Sequence, residues 1–415
     1  MRRGLPWLLL LLAACGGGGS DDAAPPAAAV APAVEDGTPG HPYLAAQFPF
    51  VQDNDTKKSA TSLIDYYSAA PTTNESGPEF YYKVVVAQAG TLKAEVLEAA
   101  DVDVDINVLT GLAVEDGVAT QCTARANTQL EIQVQAGTYY VVVDSYFSNG
   151  VVHSGAYKLA IELDVPDQWQ AVAVKPGVTW KKKIYSNYAG GKQTVNVLDV
   201  ALGTNGVVVK PFTTGSSMYT SQKAAGAGAV AAINGGFFAS GGVSLDMVKI
   251  DGVVKSYNHL GVGTQPTFGL TAQGTPMVQG VGQNTDWAAA FQALGGHPNL
   301  VTDGEVDVWP AGTSTFYTTK HPRTAIGTTK DGHLLLVTVD GRTSAGAGMT
   351  IAALAQYMKD LGAWNAFNLD GGGSTTMFVS NMSINGIVNF PSDNQKADHW
   401  GERAVSDGLF VWSQN

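Results

Sequence analysis

The chain has 415 residues, too many for one ordinary core and enough for two domains plus a leader. Hydrophobic residues make up 45% and charged residues 14%, the balance of folded domains and not of disorder. The formal net charge is -12 and no basic stripe runs through the chain. That argues against a nucleic-acid partner, and a polyanionic substrate would need a local cationic pocket working against the global field.

The first residues carry a compartment signal. Arg2 and Arg3 form a positive n-region, and Leu5 to Leu12 form an apolar run too short to span a membrane as a mature helix. Leu12-Ala13-Ala14-Cys15 then resembles a lipobox, whose small residues fit a peptidase groove and whose thiol accepts lipid. Residues 1–15 are read as a lipoprotein signal peptide. The mature chain is expected to be lipid-anchored through Cys15 in a bacterial envelope, at the outer membrane or cell surface. Residues 16–42 open on Gly16-Gly17-Gly18-Gly19-Ser20 and stay rich in Ala, Pro and Asp, so they read as a flexible linker. With Cys15 in the leader, Cys122 has no disulfide partner and reads as a small, partly buried thiol.

From 43 to 164 the apolar period is two. Residues 81–86, 91–96, 129–134, 139–144 and 157–162 read as strands, separated by turn residues such as Ala136-Gly137 and Ser148-Asn149-Gly150. Short strands at this spacing without a long helix predict an antiparallel β-sandwich. The stretch Ala136 to Asp144, with Gly155-Ala156-Tyr157-Lys158-Leu159 after it, resembles the bacterial pre-peptidase C-terminal domain. That resemblance implies an accessory β-sandwich on a secreted hydrolase. Asp101, Asp103 and Asp105 alternate along one expected strand, a pattern that suits a solvated face or, with oxygen ligands, Ca²⁺; the solvated face is the reading adopted.

From 165 to 415 strands alternate with two expected helices, an α+β pattern. Asp286 is placed to cap a helix from Trp287 to Leu294. A second helix starts after Thr350, with Ile351, Leu354, Ala355, Met358 and Leu361 at helical spacing and Gly362 as its left-handed stop. Residues 365–369 then read as a buried strand.

Five glycine-bounded polar stretches in this half carry chemistry. Asn234 ends an apolar strand at Gly235-Gly236, where its amide can meet sugar hydroxyls or stabilise its own turn. His321-Pro322-Arg323 presents a planar cation suited to phosphate beside a histidine that can act as an acid or hold a loop. Asp340 and Arg342 lie two apart, as an ion pair or as a carboxylate beside a phosphate-binding cation. Asp370-Gly371-Gly372-Gly373-Ser374 follows the buried strand, with Thr375 and Thr376 after it. Glycine amides can converge on an anion there, and a carboxylate stands at the edge. It is neither a Walker A loop, lacking the Lys, nor a nucleophile elbow. Last come Ser392-Asp393 and Glu402-Arg403; neighbouring side chains on an extended chain point to opposite faces, so the latter two can reach different parts of a site.

Together, in this order, the stretches resemble the phosphodiester glycosidase family over roughly residues 168 to 413, most specifically in Asn-Gly-Gly-Phe-Phe, Arg-Thr-Ala-Ile-Gly and Asn-Leu-Asp-Gly-Gly-Gly-Ser. Residues 394–400, with His399 and Trp400, intervene where the family's bacterial pattern has a short gap, and are expected to reshape the pocket. The resemblance implies hydrolysis of a sugar-1-phosphodiester, with a phosphorylated glycan as partner. Within it Asp370 and Glu402 are nominated as catalytic; Arg323, Arg342, Arg403 and Gly371, Gly372 and Gly373 as phosphate-binding; and Asn234, Ser374, Thr376, Asp340, His321 and Asp393 as substrate-binding. No cofactor is called for. A divalent metal on Asp370 or Asp340 stays open, Ca²⁺ or Mg²⁺ rather than Zn²⁺, for want of a His/Cys cluster. The alternatives are a non-catalytic carbohydrate- or envelope-binding lipoprotein and an unrelated secreted hydrolase. The two carboxylates weigh against the first, and the missing His-Glu-x-x-His and Gly-x-Ser-x-Gly against the second.

Overall fold

The computed structural model describes residues 35–259, 263–309 and 314–414. The signal peptide, Cys15 and the linker as far as residue 34 lie outside the described residues. The last part of the expected linker is not free chain: Gly37 accepts a hydrogen bond from the Tyr81 amide at 2.9 Å, which ties this turn to the first sheet.

Two sheets face each other over 43–164. One has the order Tyr43–Ala45, Glu79–Val86, Gly137–Ser145, Val104–Leu109, Cys122–Ala126; the other Gln129–Val134, Gly90–Glu98, Ala156–Asp164, Phe50–Asp55. Alternate side chains meet between them. Tyr82, Val84, Ile106, Val108, Val141 and Val143 come from one sheet, and Leu92, Val96, Leu159 and Ile161 from the other. The alternating aspartates fall differently from expectation. The strand begins only at Val104, and Asp101 sits in a turn with φ 65°. Asp105 is buried and ion-paired with Arg125 at 2.5 Å. The three therefore form neither a solvated face nor a shared ligand set.

The rest of the chain folds around three larger sheets and a two-stranded ribbon, Phe238–Ala239 with Val243–Ser244. The largest has eight strands, in the order Trp169–Lys175, Val178–Tyr185, Gln193–Ala201, His333–Val339, Arg323–Thr328, Asn365–Asn368, Asn299–Thr302, Glu305–Val306. Its central strand His333–Val339 is buried on both faces and reads as a nearly continuous hydrophobic run, while the first two strands alternate between more and less exposed residues. Val195, Val197, Leu335 and Val337 pack under the helix Ile351–Asp360 through Leu354, Ala355 and Met358. Leu198, Val200, Leu334, Leu336 and Phe367 face the other way. There they meet Ile233, Met377, Leu409 and Val411 of a four-stranded sheet (Val207–Met218, Val405–Ser413, Ala231–Asn234, Met377–Val379), and Phe268 and Leu294 of a five-stranded one. The Thr350 hydroxyl caps the helix by accepting from the Ala353 amide at 3.2 Å, and Gly362 follows its end at φ 92°.

The expected helix from Trp287 to Leu294 is absent: Gln292–Gly295 is a strand paired with both Thr264–Leu270 and Val248–Ile250. Asp286 binds Lys249 at 2.6 Å instead of capping. Trp287 packs edge-on to Gly269, where an added Cβ would lie 2.6 Å from the indole ring. Tertiary pairing has overridden local propensity here. Gly269→Ala should therefore overpack the Trp287 site and lose about 1–3 kcal/mol. Urea unfolding checks it, and unchanged stability would mean that the indole does not hold this segment in place.

Candidate active site

The nominated residues come from five chain segments, and the fold brings most of them to one cleft of about 320 Å³. It is lined by His321, Arg323, Arg342, Asp370, Gly371 to Gly373 and Arg403, together with Phe237, Thr315 and Phe316. The geometry that joins them is strand-end geometry. Arg323 opens the strand Arg323–Thr328, Arg342 and Asp370 follow strand ends, and Arg403 precedes the last strand.

Arg323 is 1% exposed. Its Nε donates to the Met349 carbonyl at 2.9 Å and its Nη2 to Phe316 and Thr319 carbonyls at 2.7 and 3.1 Å. The guanidinium lies over the Phe316 ring at 5.0 Å. Burial, and then the neighbouring Arg342, push its pKa down to about 10, so it stays a cation at neutral pH. Among the described residues no carboxylate pairs with Arg323 or Arg342 within 4.0 Å. Arg342 itself adopts φ 64°, a left-handed conformation that costs a non-glycine residue roughly 1–2 kcal/mol. Its Nη2 donates to His321 Nδ1 at 3.0 Å. A guanidinium can only donate, so Nδ1 holds the lone pair and neutral His321 carries its proton on Nε2. Burial and the two arginines lower the His321 pKa, which keeps the ring neutral.

The third cation is already paired. Arg403 Nε and Nη2 each donate to a different Asp393 carboxylate oxygen, both at 2.7 Å, the bidentate fork that suits this pair. Asp393 is thereby a partner of Arg403 and is not among the residues lining the cleft. Gly373 lies directly beneath the pair, where a Cβ would collide with the Asp393 carboxylate and Arg403. Gly371 is pressed on the Pro322 carbonyl, 2.7 Å from where its Cβ would be.

Asp370 is the carboxyl that lines the cleft. Burial raises its pKa to about 6, against the lowering influence of Ser374, the Gly371 amide and Arg403. The Gly371 N–H donates to Asp370 Oδ1 at 2.8 Å, and the Gly372 N–H to the Pro322 carbonyl at 2.9 Å. Those two amides are thus satisfied within the protein and do not form an anion nest. The glycines serve by lacking a Cβ.

Several nominations are corrected by placement. Glu402 points away from the cleft, as alternation along the chain allows. It accepts from the Ser221 amide at 2.9 Å and from the Ser221 hydroxyl, at the start of the helix Thr220–Gly226. Burial raises its pKa, but it is a cap, with no reacting group in reach. Asn234 is fully buried; its Nδ2 donates to the Asp370 carbonyl at 2.8 Å, and its Oδ1 accepts from Thr324 and the Thr376 amide. It fixes the loop that carries Asp370 and is not among the residues lining the cleft. Asp340 is also fully buried, with a pKa raised by burial to about 6. It accepts from Asn389 and the Phe390 amide and orients no arginine. Ser374 and Thr376 are buried and are not among the residues lining the cleft. Residues 394–400 do not line the cleft; His399 and Trp400 reach the sandwich. No group of three or more His, Cys, Asp or Glu side chains converges as a metal site among the described residues.

Phe237, Thr315 and Phe316 escaped the sequence reading. Phe237 stood in the Asn-Gly-Gly-Phe-Phe stretch, and two aromatic residues shortly before Arg323 were the available signal for Phe316. The Phe237 ring stacks on His297 at 4.0 Å and meets Phe316 edge-on at 6.0 Å, so the aromatic side of the cleft runs directly into the ring that carries Arg323. Two buried acids hold the Phe237 turn: Asp246 accepts from the Phe237 amide at 2.6 Å and Asp407 from the Gly236 amide at 2.9 Å.

Residues 227–412 match the family model for phosphodiester glycosidases. A Bacillus subtilis prophage-derived uncharacterized protein, YomE, is 42% identical over 92 residues, 22% of this chain and 13% of that protein. The mouse N-acetylglucosamine-1-phosphodiester alpha-N-acetylglucosaminidase is 36% identical over 87 residues, 21% of this chain and 16% of that enzyme. These matches span less than a fifth of each relative's length. Among solved structures, the zebrafish catalytic domain of that enzyme, auto-inhibited by its pro-peptide, aligns with TM-score 0.47 and 23% identity, covering 60% of this chain and 89% of that one. The pre-peptidase C-terminal domain of a Bacillus anthracis collagenase aligns with TM-score 0.19 and 15% identity, over 29% of this chain and 93% of that one.

Two substitutions separate the cleft from its supports. Gly373→Ala should dislodge Arg403 and raise KM for a phosphodiester substrate roughly tenfold, about 1.4 kcal/mol. Glu402→Ala should cost about 1 kcal/mol of stability through the lost cap while kcat/KM stays within about twofold. A large fall in kcat for the second variant, by steady-state kinetics, would return Glu402 to the chemistry.

Proposed function

We propose that the chain hydrolyses a sugar-1-phosphodiester of the GlcNAc-1-phosphodiester kind in envelope or extracellular glycans, releasing a free sugar and a phosphomonoester. The observation that carries this reading is a pair of guanidinium groups, Arg323 and Arg342, without carboxylate partners among the described residues, beside the raised carboxyl of Asp370. The envelope context rests on the leader reading of residues 1–15.

Most glycosidases use two carboxyl groups, because an ordinary sugar oxygen must be protonated as it leaves. A phosphate leaving group differs. Its charge is stabilised by guanidinium groups and needs no proton, so one carboxyl suffices. In this reading water attacks the anomeric carbon and gives its proton to ionised Asp370. The C1–O electron pair leaves on the phosphate oxygen, and Arg323 and Arg342 take up the growing charge. The Nε2 proton of His321 is a further donor toward that phosphate. Phe237 and Phe316 present aromatic faces to the C–H side of the sugar ring.

Three outcomes test the reading on GlcNAc-1-phosphodiesters. The value of kcat/KM should rise with pH to a plateau above about 6, following ionisation of Asp370. In ¹⁸O water the label should enter the sugar; label in the phosphate would show P–O cleavage and remove this mechanism. Asp370→Asn should lower kcat at least about a thousandfold, yet stabilise the fold. The sign follows from linkage. The folded carboxyl titrates near 6 and an unfolded one near 4, so the folded state holds the extra proton between them and loses stability as pH rises through that window. The variant should gain on the order of 2–3 kcal/mol at pH 7 and nothing below about pH 4, read by denaturant unfolding.

A further inference from the structure

The segment from Asn389 to Arg403 touches both the cleft and the N-terminal sandwich. At the cleft end, Asn389 is buried. Its Nδ2 donates to the Thr375 carbonyl at 3.0 Å and its Oδ1 accepts from the Met377 amide at 2.8 Å, which clamps the chain just after the three glycines. The segment closes on itself where the Asp393 amide donates to the Gly401 carbonyl at 3.3 Å. Directly beyond that closure, Asp393 and Arg403 form their bidentate pair against Gly373.

At the other end the same segment is seated on the sandwich. His399 is buried, with Nδ1 on the Asn389 carbonyl at 2.9 Å and Nε2 on Glu162 at 3.2 Å. Both partners are acceptors, so both ring nitrogens donate and the ring is an imidazolium. Burial opposes that charge, but Glu162 outweighs it and raises the pKa. Glu162 also binds Lys182 at 3.1 Å, and Lys182 binds Asp164 at 2.8 Å. The Phe390 ring stacks on His399 at 4.8 Å, beneath Lys93 at 4.9 Å. Outside this buried network Trp400 Nε1 donates to Glu95 at 2.8 Å.

We propose that the sandwich is a working part of the cleft: through the strap Asn389–Arg403 it sets the position of the Arg403 guanidinium, and Glu162 and His399 are positioning residues for phosphate binding. The inference rests on the reading of the cleft as a phosphate site. A strap pinned at both ends has little freedom to move its Asp393–Arg403 junction. Freeing the sandwich end lets the junction shift away from Gly373, and the phosphate loses one of three guanidinium groups.

The test is a double-mutant cycle on the full chain, with Glu162→Gln, Arg403→Ala and the double variant. Inorganic phosphate is titrated calorimetrically, and kcat and KM are measured in parallel. Glu162→Gln should weaken phosphate binding roughly fivefold to tenfold and act on KM more than on kcat. It should have no further effect once Arg403 is gone. Equal weakening in both backgrounds, or none in either, would overturn the proposal, because a contact that merely glues two domains together gives additive effects. If Glu162→Gln does not fold, Trp400→Phe takes its place; that ring is half exposed, keeps its packing and loses only the bond to Glu95. Absence of turnover by the wild-type chain would defeat the proposed hydrolysis, while the phosphate cycle would still decide the strap.

Discussion

The cleft depends on a close approach: three consecutive glycines let backbone lie where no side chain fits. Gly371 rests on the Pro322 carbonyl, Gly372 faces Arg342, and Gly373 lies under Asp393 and Arg403. Three guanidinium groups from distant parts of the chain can therefore converge over one short loop. Any Cβ on Gly373 forces a charged neighbour to move. The loop's other edge is held from below by Asn234, whose amide grips the Asp370 carbonyl, so Asp370 has a fixed backbone beneath a carboxyl that faces the cleft.

Placing cations this close needs compensation. Burying an unpaired guanidinium costs several kcal/mol unless its donors are satisfied. Arg323 meets that cost with three carbonyl bonds and an aromatic face, all neutral. A carboxylate partner would satisfy it equally and would also cancel the charge that an anionic ligand needs. Arg403 takes the other route, with Asp393, but at a site where its side chain is 42% exposed. The cleft thus combines two uncompensated cations with one orienting ion pair. The surrounding chain is acidic overall, so the attraction for an anion is local and is felt within about a Debye length.

The architecture was legible where periodicity was strong. The alternating runs at 81–86, 91–96 and 157–162 lie within strands of the sandwich, and the capped pattern after Thr350 is the helix Ile351–Asp360. The segment from Trp287 to Leu294 was misread because Asp286 has the look of a helix cap, while pairing with two neighbouring strands decided the outcome. Residue types named most of the cleft only when the five stretches were taken together, since each Arg or Asp alone also fits an ordinary ion pair or turn. They did not reveal which polar groups are consumed by the fold. Asn234, Asp340 and Glu402 are each the chemically right kind of residue, yet each is saturated by backbone or side-chain partners that only three-dimensional proximity reveals. Phe237 and Phe316 were missed for the opposite reason: an aromatic ring reads as core until its exposed face is seen.

Glu402 and Arg403 show how a single extended dipeptide divides labour. One side chain caps a helix and the other enters the cleft, and the alternation of an extended chain makes both placements compatible. The pair is therefore doubly anchored, by Ser221 behind and Asp393 in front. A strap that then reaches Glu162 and Glu95 of the sandwich extends the same logic outward. The placement of Arg403 thus draws on a helix start, a glycine floor and a second β-structure, three parts of the fold far apart in sequence.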